Sequence, residues 1–345
     1  MNGEIDRQKT TPARAVGITG PGGYDRLAVV TRQVRQPGVG EVRIAVRAAA
    51  VNPTDLILRN TGIGGVSKPG GAFVSGPHSA GAKAAYDPSL PPPWTPGMEA
   101  AGIVEAVGPG VDDLKLGDEV MTAVAPRRPE GGAQAALLIA PAASTVRIPA
   151  GVGIRRAAAV PMNGLTALLG LELLGLEAGD TLAVTGGAGM LASYVIPIAK
   201  RQGLVVVADA RPDDEAFVRG LGADVVVPRS DDFVAALREF RPAGVDGLFD
   251  TALRLDAVLD AIRDNGAMVT VRGWQPDRPV RGIRVEPVWV VKVLERTDWL
   301  HRLRSLVSDG VITPRIADEM PPENIAEAHR RVDAGGLRGR IVITF

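Results

Sequence analysis

Between Thr181 and Arg211 the spacing of apolar positions changes twice. Thr181–Thr185 is a short apolar run rich in β-branched residues, which predicts a buried strand. Gly186, Gly187 and Gly189 follow, and then Met190, Leu191, Tyr194, Val195, Ile198 and Ala199 fall at helical spacing. Gly203 closes that helix, and Leu204–Ala208 predicts a second buried strand. Pro197 predicts a kink, since it deletes one backbone hydrogen bond. Strand, glycine turn, helix and strand make a βαβ unit. Its first turn, Gly186-x-x-Gly189-x-x-Ala192, is a loosened dinucleotide signature. Glycines there let the backbone approach a pyrophosphate seated on the free N–H groups of the helix start.

Before this unit the chain reads as mostly β. Arg14–Ile18, Leu27–Val34, Glu41–Ala50, Met98–Val107, Glu119–Val124, Ala136–Ile139 and Thr145–Ile148 are short runs with strand character between Gly and Pro turns. Val46–Asp55 leaves a strand and enters a helix capped by Asn52 or Thr54, with Asp55 suited to the positive end of the helix dipole. Asn60–Pro96 is rich in Gly, Pro, Ser and Ala, either a long ordered surface loop or a partly mobile lid. Gly151–Leu176 predicts a helix. After Arg211, helices at Asp213–Leu221, Asp231–Phe240 and Leu255–Asn265 alternate with strands at Val225–Val227, Gly247–Phe249 and Ala267–Val271. That alternation predicts a parallel, doubly wound sheet. Helices at Asp298–Asp309 and Pro322–Ala334 and a strand at Arg340–Phe345 close the chain.

Composition narrows the function. The 345 residues suffice for two cores, and 46% hydrophobic with 23% charged residues is ordinary for a soluble protein. Zero net charge without long charged runs argues against nucleic acid or an anionic membrane as partner. The absence of cysteine removes disulfides, thiolate catalysis and Cys-ligated zinc, and suits a reducing cytoplasm. The polar N-terminus lacks the apolar segment of a secretory signal. Ala157–Leu176 is long and apolar, but Pro161, Gly164 and Gly170 interrupt it and no basic anchors flank it, which predicts a buried helix rather than a membrane span.

Several stretches resemble the medium-chain dehydrogenase/reductase superfamily, and within it the zinc-independent quinone oxidoreductase branch. They are AAAVNPTD at Ala48–Asp55, PGMEAAGIVEAVGPGVDDLKLGDEV at Pro96–Val120, AAAVPMNGLTAL at Ala157–Leu168, VTGGAG at Val184–Gly189, LGAD at Leu221–Asp224, GVDGLFDT at Gly244–Thr251 and GLRGRIVI at Gly336–Ile343. Thr61–Pro93 has no counterpart in the family pattern. The resemblance implies an α/β protein with a GroES-like β-rich catalytic domain (1–150 and 305–345) and a Rossmann cofactor domain (151–304). It further implies a homodimer acting on a small-molecule substrate.

Departures from the family pattern set the chemistry. Met98 stands where the zinc enzymes have a histidine, and His78, His301 and His329 are scattered. Thioether and alkyl groups do not replace thiolate and imidazole, so no zinc is expected. What remains is hydride delivery to an already activated acceptor, a quinone or an α,β-unsaturated carbonyl. A specialised biosynthetic enoyl or ketone reductase with a lid, or a nucleotide sensor without turnover, are the alternatives. The resemblance places Asn52 beside the nicotinamide, although a helix cap is its other role. Tyr86, in the insertion, is the candidate to reach the cleft, and Ile57 stands where the family often has an aromatic residue.

The end of the second βαβ strand bears on the cofactor. Asp209 would accept bonds from the adenosine ribose and favour NAD, whereas Arg211, after Ala210, would pair with a 2′-phosphate and favour NADP. NADP is the expectation, with NAD possible. By resemblance, Thr166, Ala188, Met190 and Leu191 also contact the cofactor. So do Thr251, Ala252, Gly273, Trp274, Arg338 and Arg340, beside the turn glycines Gly186, Gly187 and Gly189.

Overall fold

The computed structural model describes residues 10–63, 65–67, 73–75 and 89–345. His78 and Tyr86 lie outside them, as does most of the insertion. In chain order, β1 (Thr11–Ile18) and β2 (Leu27–Val34) form an antiparallel pair. β3 (Glu41–Ala50), α1 (Pro53–Thr61) and the short pair β4 (Gly65–Ser67) and β5 (Phe73–Ser75) follow. Next come β6 (Glu99–Val107), β7 (Glu119–Ala123), β8 (Leu137–Pro141) and β9 (Thr145–Arg147). The helices α2 (Ile154–Ala157) and α3 (Pro161–Leu174) lead to β10 (Thr181–Thr185), α4 (Ala192–Arg201) and β11 (Val205–Ala210). α5 (Glu215–Gly220), β12 (Val225–Pro228), α6 (Phe233–Phe240), β13 (Val245–Asp250), β14 (Ile262–Thr270) and β15 (Arg284–Pro287) complete that half. The chain ends with α7 (Thr297–Ser308), β16 (Ile316–Met320), α8 (Ile325–Ala334) and β17 (Arg340–Thr344).

Two sheets organise these elements. A seven-stranded sheet runs β16-β17-β3-β6-β7-β9, with β8 also on β3. The C-terminal strands thus return to the N-terminal half, and Val342 pairs with Ala50. A six-stranded parallel sheet runs β12-β11-β10-β13-β14-β15. Its order reverses beside β10, where a doubly wound sheet opens a crevice at the carboxyl ends of its strands. Every residue of β10 is buried, because helices cover both faces of a parallel sheet. α3 is apolar on all sides and packs on α4, α7 and β14. Ile154–Leu174 has the length and hydropathy of a membrane span, but 89% of its most apolar window is buried inside the protein.

Two predicted helices differ. Gly151–Leu176 is two helices: α2 stops at Ala157, and α3 starts at Pro161, whose lost N–H is harmless only in a first turn. Leu255–Asn265 is a 3₁₀ turn to Ala261 and then the start of β14. Left-handed φ values at Leu253 and Leu255 make the chain enter that turn at a sharp angle. Ile262 then pairs with Val245 across an irregularity in register. β11 also runs two residues further than predicted, taking in Asp209 and Ala210.

Candidate active site

The glycine turn is built as its sequence requires. Gly186 has φ +67°, a left-handed conformation natural to glycine. A Cβ on Gly187 would lie 2.7 Å from the carbonyl oxygen of Asp209, and one on Gly189 would lie 2.9 Å from that of Gly186. The next strand of the sheet closes one side: Thr251 Oγ1 donates to the Thr185 carbonyl (2.5 Å) and the Ala252 amide donates to Thr185 Oγ1 (3.1 Å). A Cβ on Gly186 would come within 3.1 Å of Ala252. The structure thus brings together Gly186 to Leu191, Asp209 to Arg211, Thr251 and Ala252. Gly273 and Trp274 follow the end of β14, where the Trp274 carbonyl accepts from Thr270 Oγ1 and its side chain packs on apolar neighbours.

Asp209 has an unforeseen place. Its carboxylate turns inward and accepts from the amides of Gly186 and Gly187. Burial pushes its pKa up, against the opposing pull of those amides and of Arg229 and Arg254. Two of the turn's amides are therefore taken. Those of Ala188, Met190, Leu191 and Ala192 make no hydrogen bond among the described residues, so a diphosphate still has an N–H cradle at the start of α4.

Cations surround that cradle. Arg315, just before β16, donates through Nη2 to the carbonyls of Ala188 (3.1 Å) and Gly189 (3.4 Å) and stacks on Phe217. Arg338 pairs with Asp214 just beyond β11, its Nε 2.7 Å from Oδ1. That bond, with the charges of Arg338, Arg211 and Arg229, holds Asp214 below the usual carboxylate range. Arg211 itself is exposed at the strand end.

A buried polar cluster lies where α1, β6, α3 and β17 meet. Asn52 Nδ2 donates to Glu99 Oε1 (3.0 Å), and the Met162 amide donates to Glu99 Oε2 (2.8 Å). Asp55 accepts from the amides of Asn52 (2.8 Å) and Gly97 (2.9 Å) and from Gln134 Nε2 (3.0 Å). Arg340 Nη2 donates to Asn163 Oδ1 (2.7 Å). Burial raises Glu99 to about 7 and Asp55 to about 6, with Arg340 opposing both shifts. Four atoms of this cluster are buried without a partner: Asn52 Oδ1, Gln134 Oε1, Asn163 Nδ2 and Arg340 Nε. Thr166, one turn into α3, is buried and donates back to the Met162 carbonyl (2.7 Å).

Tyr194 is fully buried, its hydroxyl on the Ala159 carbonyl (3.0 Å). His329 packs on Arg59 and makes no hydrogen bond to the cluster among the described residues, and burial with that guanidinium lowers it to about 3. Glu99 and Asn163 were not singled out in the sequence, and Asp55 only as a partner of the helix dipole, although each falls inside a family motif quoted above. Arg315 carries no local signal, for it meets the glycine turn from more than a hundred residues away.

This architecture is that of a known class. Residues 38–150 match the model of the alcohol dehydrogenase GroES-like domain, and residues 221–343 match that of the zinc-binding dehydrogenases. The chain belongs to the medium-chain dehydrogenase/reductase superfamily and is an oxidoreductase of it. A rat synaptic vesicle membrane protein VAT-1 homolog is 27% identical over 96% of this chain and 84% of its own. The chloroplastic NADPH-dependent alkenal/one oxidoreductase of Arabidopsis thaliana is 28% identical over 93% of this chain and 77% of its own. A mycobacterial quinone oxidoreductase structure superposes with a TM-score of 0.74 at 26% identity, covering 96% of this chain and all (100%) of that one.

The second family description implies zinc, and the residues present do not fit it. No cysteine exists in the sequence. Met98 occupies the histidine position, and the nearby carboxylates are committed to amides beside the Arg340 guanidinium. Among the described residues no group of three His, Cys, Asp or Glu side chains could hold a metal. A nicotinamide nucleotide does fit. The free amides at the α4 start and the unpartnered atoms of Asn52, Asn163 and Arg340 are unsatisfied groups of the kind a bound ligand completes.

Proposed function

We propose that this protein is an NADPH-dependent reductase that adds hydride to an α,β-unsaturated carbonyl or a quinone without a metal. The observation that carries this reading is the buried cluster around Asn52, Glu99 and Arg340. It offers directional hydrogen bonds and one guanidinium, but no ligand set for a Lewis-acidic cation. An activated acceptor needs no such cation, because its own carbonyl takes up the electron pair. The nicotinamide ring supplies the hydride when the cofactor is bound.

The chain's own residues bind and orient. The free amides of Ala188, Met190 and Leu191 hold the diphosphate, with Arg315 as a cation beside it. Asn52 Oδ1 accepts and Asn163 Nδ2 donates, a complementary pair for a carboxamide or carbonyl group at the reacting end. Holding donor and acceptor carbons in register supplies several kcal/mol of the rate enhancement. Arg211, Arg229 and Arg338 at the end of β11 favour the 2′-phosphate of NADPH, and the inward turn of Asp209 removes the carboxylate that would repel it. The product enolate takes its proton from water.

Steady-state turnover of enones and quinones with each cofactor tests this. Oxidation of NADPH by a simple enone is the expected result. Nucleotide binding without turnover of any acceptor would replace the reductase with a sensor.

A further inference from the structure

A cavity of about 450 Å³ runs along the edge of β2 that pairs with no strand, and the segment 126–131 forms its opposite wall. It shares no residue with the hydride site. Arg32 and Arg128 both line it, and both are held by main-chain carbonyls. Arg32 donates to Glu130 O (2.5 Å) and Leu137 O (2.9 Å), and Arg128 donates to Gly131 O (3.1 Å) and Ile139 O. Neither is ion-paired among the described residues, because the carboxylate of Glu130 is taken by Arg35 at 2.7 Å. Burial lowers both guanidinium groups to about 10, and Arg128 lowers Arg32 further. Arg32 Nε is buried without a partner.

Glu130 is the opposite charge that acts on both, and it is already paired with Arg35. Two desolvated like charges that share one engaged carboxylate are under-compensated, and an anion relieves them. The Arg35–Glu130 ion pair also lines the cavity, and Val30, Ile63, Leu90, Pro93, Trp94 and Ile139 give it an apolar wall. We propose that this cavity is a binding site for a small organic carboxylate with a hydrocarbon body, its head group on Arg32 and Arg128. A planar guanidinium matches a carboxylate in two parallel hydrogen bonds, and the apolar wall takes the tail.

Calorimetric titration of the full chain, saturated with NADPH, with octanoate, octan-1-ol and inorganic phosphate tests the site. Octanoate should bind saturably, with octanol and phosphate each at least tenfold weaker. Arg128→Met should weaken octanoate at least tenfold. Because that change also removes bonds to Gly131 and Ile139, Thr31→Trp serves as the second variant. Thr31 is exposed and lines the cavity, so an indole there takes up space in it and removes none of the bonds that hold either guanidinium. It should cost octanoate at least tenfold while leaving NADPH affinity unchanged. No saturable octanoate binding would overturn the assignment, as would octanol or phosphate binding equally well. Undiminished octanoate affinity in a folded Thr31→Trp protein would overturn it too.

Discussion

Arg211 and Arg315 both stand near the nucleotide, and their positions give them separable roles. Arg211 is exposed beyond β11, so Arg211→Ala should raise the Kd for NADPH about tenfold, roughly 1.4 kcal/mol, and leave that for NADH unchanged. Arg315 grips the carbonyls of Ala188 and Gly189 beside the diphosphate cradle. Arg315→Met should therefore weaken NADPH and NADH by the same factor, and fluorescence titration of both cofactors separates the two patterns. Gly189→Asp is expected to abolish binding of either nucleotide. A side chain there would start 2.9 Å from Gly186 O, so the turn must open and some stability is lost as well. How far these residues were legible differs by cause. Arg211 follows a strand in sequence, and its place could be read directly. Asp209 could not be, because β11 is buried on both faces and no alternation of polarity shows which way a side chain points. Arg315 was invisible because only the tertiary fold carries it to the turn.

At the scale of elements, the junction of α1, β6, α3 and β17 is held by a carboxylate that burial keeps partly protonated. The folded chain holds a proton on Glu99 up to about pH 7, whereas the unfolded chain releases it near its ordinary value of 4.5. Folding therefore gains from Glu99 at low pH, and this gain is lost as pH rises through about 7. Glu99→Gln should reduce the fall of stability across this window by up to about 1.4 kcal/mol per pH unit, as read by denaturant midpoints over a pH series. It should also lower stability, since an amide cannot accept from both Asn52 and Met162 through two oxygens. Elements themselves were legible wherever period and punctuation agreed, as for β10, the glycine turn and α4. Leu255–Asn265 misled because a buried edge of apolar residues can serve a 3₁₀ turn and a strand as well as one helix. The left-handed residues that decide it, Leu253 and Leu255, have no glycine signal.

Across the whole molecule, side-chain bonds tie the two sheets together. The C-terminal strands return to the first sheet, which places Arg340 of β17 against Asn163 of α3 and Arg315 against the glycine turn. The two halves of the chain are thus joined by guanidinium groups from the last thirty or so residues, an arrangement that suits an anion and repels a divalent cation. The most direct test is the rate of NADPH oxidation by a simple enone with protein stripped by a strong chelator. Full activity, unchanged by added zinc, is the result expected of a metal-free reductase. Activity lost on chelation and restored by zinc would contradict it, as would the absence of turnover with every enone and quinone tried.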